Sequence, residues 1–168
     1  GKQIGMGHLS RAVLISDYML NKYGIETVLL VKSSSYSESF LVNCSSRIEW
    51  MQNDISTDEE LRAITASVKR YNCCLFILDV LKNDIDQTFT NEVNKNNVPF
   101  VAITDDSGKR AINADVIING NPLQDASWYC QESANYCIGP QFFIMDERYE
   151  NINSIMPSEG VDNILLSV

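Results

Sequence analysis

Short apolar runs that each stop on an acid or an amide recur along this chain. Residues 73–78 form the most apolar of them and end on Asp79; residues 98–104, entered through Pro99, end on Asp105 and Asp106; residues 116–118 end on Asn119, Gly120, Asn121 and Pro122. Runs that are apolar throughout fit the strands of a parallel sheet covered on both faces, not the alternating strands of a half-exposed antiparallel one. Segments of helical period lie between them. Leu9, Val13, Tyr18 and Leu20, with Ala12 and Leu14, mark a helix over 9–23 that Gly24 is placed to end. Thr57-Asp58-Glu59-Glu60 reads as a capping box that opens a helix through Leu61, Ile64, Val68 and Tyr71. A weaker helix is expected over 84–96 and a short one over 39–44, with further strands over 25–31 and 47–51 and an extended piece over 136–140. The alternation predicts a doubly wound α/β fold with a Rossmann-like parallel sheet. Residues 73–78 and 98–104 should be adjacent central strands, with Leu75 and Ile77 inside and the helix from Thr57 on one face.

In such sheets ligands bind outside the carboxyl ends of the strands. Asp79, Asp105 and Asn121 fall there and are candidate ligand-binding residues. Acids and asparagines also cap loops, so their position alone does not separate binding from local structure.

The stretch Gly5-Met6-Gly7-His8-Leu9-Ser10-Arg11 holds the only histidine of the 168 residues. Glycines let a backbone turn tightly and approach a ligand closely. The helix start that follows offers unpaired N–H groups and the positive end of a dipole, an arrangement suited to an anion. A histidine there can move a proton near neutral pH, or simply begin a helix. The dinucleotide fingerprint is not met: Ser10 stands where it needs a third glycine, and the strand ending at Leu30-Val31-Lys32-Ser33 carries no acid. Nicotinamide binding is disfavoured.

A net charge of −9 without a basic run argues against wrapping nucleic acid. No apolar run approaches the roughly 18 residues of a membrane span. Five cysteines, Cys44, Cys73, Cys74, Cys130 and Cys137, form no C-x-x-C pair, and one histidine does not complete a Cys/His zinc site. Reduced, mostly structural thiols suit the cytoplasm. Cys73 and Cys74 are expected on opposite faces of a strand.

A Gly-rich turn of this type normally follows a first strand in the middle of the sheet, and nothing strand-like precedes Gly5. Residues 164–168 read as the opening strand of something else. The expectation is an excerpt of a longer chain: residues 1–160 an N-terminal domain lacking its first strand, and residues 161–168 a linker and the first strand of a C-terminal domain.

The stretch from Gln3 to Arg11 resembles the K-I-G-x-G-H-x-x-R loop of the UDP-sugar hydrolases of pseudaminic acid biosynthesis, whose relatives include spore coat polysaccharide biosynthesis proteins. Leu75 to Asp79 is similar to the family's strand ending in D-x-Y. Thr104-Asp105-Asp106 with Ala114 to Asn119 is similar to its D-D…A-D-x-x-x-N stretch, and Cys137 to Tyr149 to its G-x-x-Y-x-L-I-R-x-E-F segment. Two positions depart: the family's D-H-Y reads Asp79-Val80-Leu81, and the arginine of L-I-R is Asp146. The resemblance implies the N-terminal half of a two-domain GT-B architecture, with most nucleotide contacts supplied by the other half. It implies metal-free, cofactor-free removal of UDP from a 2,4-diacetamido-trideoxyhexose by water attack at the anomeric carbon. His8 would be the general base, and Gly5, Gly7, Arg11, Asp79, Asp105 and Asn121 would border the UDP-sugar; Arg11 serves equally well as a structural anchor. A glycosyltransferase on the same fold, and a non-catalytic nucleotide-sugar-binding domain favoured by Leu81, stand as alternatives.

Overall fold

The computed structural model describes residues 6–80, 87–105, 112–124, 127 and 134–150. Helix α1 spans Met6–Tyr23, followed by strand β1 Val28–Lys32, helix α2 Ser35–Phe40, strand β2 Arg47–Met51 and helix α3 Thr57–Arg70. Strand β3 is Phe76–Val80, helix α4 Gln87–Asn94, strand β4 Phe100–Thr104, strand β5 Val116–Asn119 and strand β6 Asn135–Ile138. All described pairings are parallel: β1 with β2, and β3-β4-β5-β6 in that order. The expected α/β fold with a Rossmann-like parallel arrangement is present, and β3 and β4 are neighbours as anticipated, with Phe76 opposite Phe100 and Asp79 opposite Ile103.

The sheet is in two parts. Among the described residues β3 pairs with β4 alone. β3 is therefore an edge of its sheet, not central, and this corrects the expectation for its apolar residues: Ile77 is 36% exposed and Leu75 only half-buried. β4 takes the central place, with Phe100 and Ala102 at 0% exposure.

One face of the sheet carries the core. Ile64 and Val68 of α3 and Phe89 and Val93 of α4 pack with Phe100, Ala102, Ile112, Ala114 and Ile117, and Phe76 and Leu78 of β3 turn toward them. Alternation along β3 then sends Ile77 and Asp79 to the opposite face, where α1 lies. Among the described side chains of α1 only Ser16 is fully buried. Its hydroxyl contacts those of Thr27 and Ser46, tying the helix to the amino ends of β1 and β2. Gly24 closes α1 at φ +65°, its N–H bonding Leu20 O at 2.9 Å.

Several local expectations shift. The capping box of α3 is Ser56 with Glu59, one residue earlier than Thr57 with Glu60; Glu60 is instead drawn to Lys32 Nζ at 2.6 Å. The short helix sits at Ser35–Phe40, not 39–44, because Ser34 and Ser37 form a reciprocal cap. Cys73 and Cys74 precede β3; Cys73 closes the turn after α3 by donating its N–H to Val68 O, and Cys74 is exposed. Cys44, Cys73, Cys74 and Cys137 are free thiols. Residues 164–168 and Cys130 lie outside the described residues. No described helix is long and apolar enough to cross a membrane.

β2 is fastened to α3 by Glu49, which accepts from Ser67 Oγ, from Tyr71 OH at 2.7 Å and from Arg70 Nη1 at 2.5 Å. The Ser67 and Tyr71 hydrogen bonds, with a smaller contribution from Arg70, outweigh burial and hold its carboxyl below the usual range. A depressed folded-state value contributes stability that is complete above the unfolded-state value, about 4.3, and lost as pH falls through the folded one. Glu49→Gln should therefore lower the urea midpoint at neutral pH, and the gap to the parent should close below about pH 4. Equal gaps at both pH values would show that the carboxylate charge plays no part.

Candidate functional site

The described strands form two parallel sheets, β1-β2 and β3-β4-β5-β6. Open α/β sheets bind ligands at the carboxyl edge of their strands. α1 delivers its first turn to that edge. His8 and Arg11 are three residues apart and share a face of the helix. Asp79 is the next-to-last residue of β3, on the α1 side, and Asp105 follows Thr104, two residues beyond the Ile103 that pairs with Asp79. The period of two thus brings both carboxylates under α1.

The four side chains form one cluster. His8 Nδ1 lies 2.7 Å from Asp79 Oδ1. Arg11 Nε and Nη2 donate to Asp79 Oδ2 and Oδ1 at 2.8 and 2.7 Å. Its Nη1 and Nη2 also donate to Asp105 Oδ1 and Oδ2, both at 3.1 Å. The side chains of His8, Asp79 and Arg11 are 16%, 16% and 15% exposed, and that of Asp105 is 46% exposed. Burial works against the charge on Arg11, but its hydrogen bonds to Asp79 and Asp105 prevail and raise its proton affinity above the ordinary guanidinium value. Arg11 is positive at any working pH.

The tautomer of His8 follows from this network. A bare ring nitrogen 2.7 Å from a carboxylate oxygen would set two lone pairs against each other, so Nδ1 carries the proton and donates it to Asp79. The Arg11 Nη2 contact to Nδ1, 3.1 Å, is then two donors side by side sharing Asp79 Oδ1. Nε2 is left with its lone pair, 3.9 Å from Asp105 Oδ2.

Beside the cluster is an open cleft of about 210 Å³. His8, Arg11 and Asp105 give it an ionic wall; Leu14, Phe143 and Ile144 give it an apolar one; Gly7 and Ser10 complete it. Gly7 lies within the first turn of α1, which begins at Met6 and not after the glycines. A Cβ on Gly7 would meet nothing within 4 Å, so space for an approaching ligand, not packing, is what its bareness provides. Gly5 lies outside the described residues. Asn121 is not among the cleft residues: its N–H bonds Asn119 Oδ1 and its own Oδ1 takes the Leu123 N–H, both at 3.0 Å, a local turn.

Sequence reasoning missed the apolar wall. Gly120 is the signal for it, since an isolated glycine after a strand marks close backbone approach. A Cβ there would stand 2.6 Å from Phe143 Cα and 2.9 Å from its N. Gly120→Ala must displace the backbone that carries Phe143 and Ile144, at a cost on the order of 1–3 kcal/mol. Denaturant unfolding checks this; full retention of stability would mean that the two segments are not in contact.

No group of His, Cys, Asp and Glu among the described residues is arranged to hold a metal ion. No protein-family model matches the chain, and comparison with characterised proteins returns no significant match.

Proposed function

We propose that this chain is the N-terminal half of a GT-B-type nucleotide-sugar hydrolase that releases UDP from a 2,4-diacetamido-trideoxyhexose in surface polysaccharide or nonulosonic acid biosynthesis. The observation that carries the reading is the His8–Asp79 pair: Nδ1 is tied to a carboxylate and Nε2 is left free beside a cleft at the strand ends. It supports a general base acting on water, and it involves the same His8, Arg11, Asp79 and Asp105 that carry the resemblance in sequence. Nε2 takes the proton of the attacking water as oxygen bonds to the anomeric carbon and the bond to the diphosphate breaks. UDP leaves as a stable anion.

The charge of the cluster fits this division of labour. With neutral His8, Arg11 offsets one of two carboxylates and the ring stands beside a net charge of −1. Such a surface repels a diphosphate and suits the sugar, so the phosphates belong on the other half of the protein. The apolar wall favours one second reading, a glycosyltransferase whose acceptor rests on Phe143 and Ile144 in place of water.

Incubating the full-length protein with UDP-sugars, with and without candidate acceptors, decides between them. UDP release in buffer alone supports the hydrolase. Release only with an acceptor supports the transferase. Binding without release under either condition rejects both and leaves a binding domain.

A further inference from the structure

Arg11 is the one cation in the cluster, and its guanidinium occupies both carboxylates that border the His8 ring. The groups facing that ring among the described residues are Asp79 from β3, Asp105 beyond β4 and Arg11 from α1; the segment after β6 brings Phe143 and Ile144, which carry no charge. Asp79 is bound through both oxygens, at 2.7 and 2.8 Å. Asp105 is held less closely, at 3.1 Å through each oxygen, and is the most exposed member of the group. Its Oδ2 stops 3.9 Å from Nε2, outside hydrogen-bond range. Release from the fork would leave a carboxylate within about an ångström of bonding distance from the nitrogen that must stay free.

We propose that Arg11 is a positioning residue that keeps Nε2 of His8 open, pinning Asp79 on Nδ1 and holding Asp105 off Nε2. The inference rests on the reading of His8 as a general base. Without Arg11 the charge beside the ring falls from −1 to −2, and Asp105 closes on Nε2. Two carboxylates, one at each nitrogen, hold a proton on both. The imidazolium so formed has no lone pair with which to take a proton from water. A guanidinium suits this task because its five donors sit in a fixed fork, whereas an ammonium is a point charge that serves one carboxylate well. The role differs from a plain anchor, which would stabilise the fold without deciding where the protons of the ring reside.

His8 is the only histidine in the chain, so its two ring nitrogens are unambiguous in ¹⁵N spectra of the selectively labelled full-length protein. In the parent the singly protonated ring should be the Nδ1–H tautomer. Arg11→Gln should raise the ratio of doubly to singly protonated ring by about tenfold or more. Asp105→Asn alone should leave the Nδ1–H form in place. The double variant Arg11→Gln/Asp105→Asn should lose most of the rise seen in Arg11→Gln. Should Arg11→Gln not fold, Arg11→Lys keeps the charge, loses the fork, and must show a rise in the same direction. An unchanged ring in both Arg11 variants overturns the proposal, and so does a double variant that keeps the full rise. The spectra need no substrate. A parent protein that releases no UDP yet shows the Arg11 effect counts against the hydrolase reading alone; UDP release that depends on His8, with a ring indifferent to Arg11, overturns this proposal alone.

Discussion

Replacing His8 with alanine or asparagine is expected to lower UDP release by the full-length protein at least about a hundredfold, the low end for losing a general base, with little change in nucleotide affinity. The water that attacks the anomeric carbon is a weak acid in the ground state. Its proton becomes acidic only as the new C–O bond forms, so in the proposed reaction the Nε2 of His8 would contribute in the transition state and hardly at all before it. The loss should therefore fall on kcat and on kcat/KM alike, with KM nearly unmoved. The structure gives a second reason for a selective effect. The nucleotide has no cationic surface to rest on in this cluster, where Arg11 is engaged by Asp79 and Asp105. Removing His8 takes away one donor to Asp79 and leaves the Arg11 fork in place, so the fold at the strand ends should survive. Kinetics with the UDP-sugar, together with direct titration of UDP binding, check both halves. Near-full hydrolysis by His8→Ala would remove His8 from the chemistry; loss of binding without loss of kcat would make it a substrate contact.

Much of the site is legible in the sequence because parallel sheets impose a rule on position. Apolar runs that end on acids put those acids at the carboxyl edge, and a helix that starts in a Gly-x-Gly-His stretch puts its histidine there too. What the runs do not disclose is their place in the sheet. Residues 73–78 are apolar enough for a central strand, yet β3 is an edge among the described residues, and Ile77 is left 36% exposed. Hydropathy reports what a strand can tolerate, while its neighbours come from the rest of the chain. The slip of the α3 cap has the same origin. Ser56 with Glu59 and Thr57 with Glu60 both satisfy the local pattern, and the distant Lys32 decides between them by claiming Glu60. The apolar wall was hidden for a related reason: Phe143 and Ile144 reach the cleft through the backbone approach that Gly120 permits, and no periodicity in their own segment announces it. Asn121 looked like Asp79 and Asp105 in sequence, but an amide has a use that satisfies it locally, the turn with Leu123.

Asp79→Asn is expected to be about as damaging to turnover as His8→Ala, a loss within about 10²–10⁴-fold, although it changes one atom. The carboxylate accepts on both oxygens: Oδ1 from His8 Nδ1 and Arg11 Nη2, Oδ2 from Arg11 Nε. An amide offers one acceptor and one donor in the same space. With its oxygen toward His8, its NH₂ confronts the Nε–H of Arg11, and one donor of a half-buried guanidinium goes unpaired. With the amide turned over, its NH₂ meets Nδ1 of the imidazole. That nitrogen must then give up its proton and accept, which moves the ring proton to Nε2 and closes the lone pair that faces the cleft. Each state leaves one Arg11 donor to this side chain without its acceptor, Nε in the first and Nη2 in the second, and the second also removes the base. The ¹⁵N spectrum of His8 should show the Nε2–H tautomer gaining at the expense of Nδ1–H in this variant, a change that mere loss of stability would not produce. Asp79→Ala, with no acceptor at all, should also destabilise the fold, toward the lower end of the about 3–5 kcal/mol typical of orphaning a buried charge, because Arg11 retains Asp105. If His8 and Asp79 act as one unit, the double variant His8→Ala/Asp79→Asn should turn over no more slowly than His8→Ala alone. Independent, multiplying losses in the double variant would show instead that Asp79 acts on the substrate directly, and the orienting role assigned to it would fall.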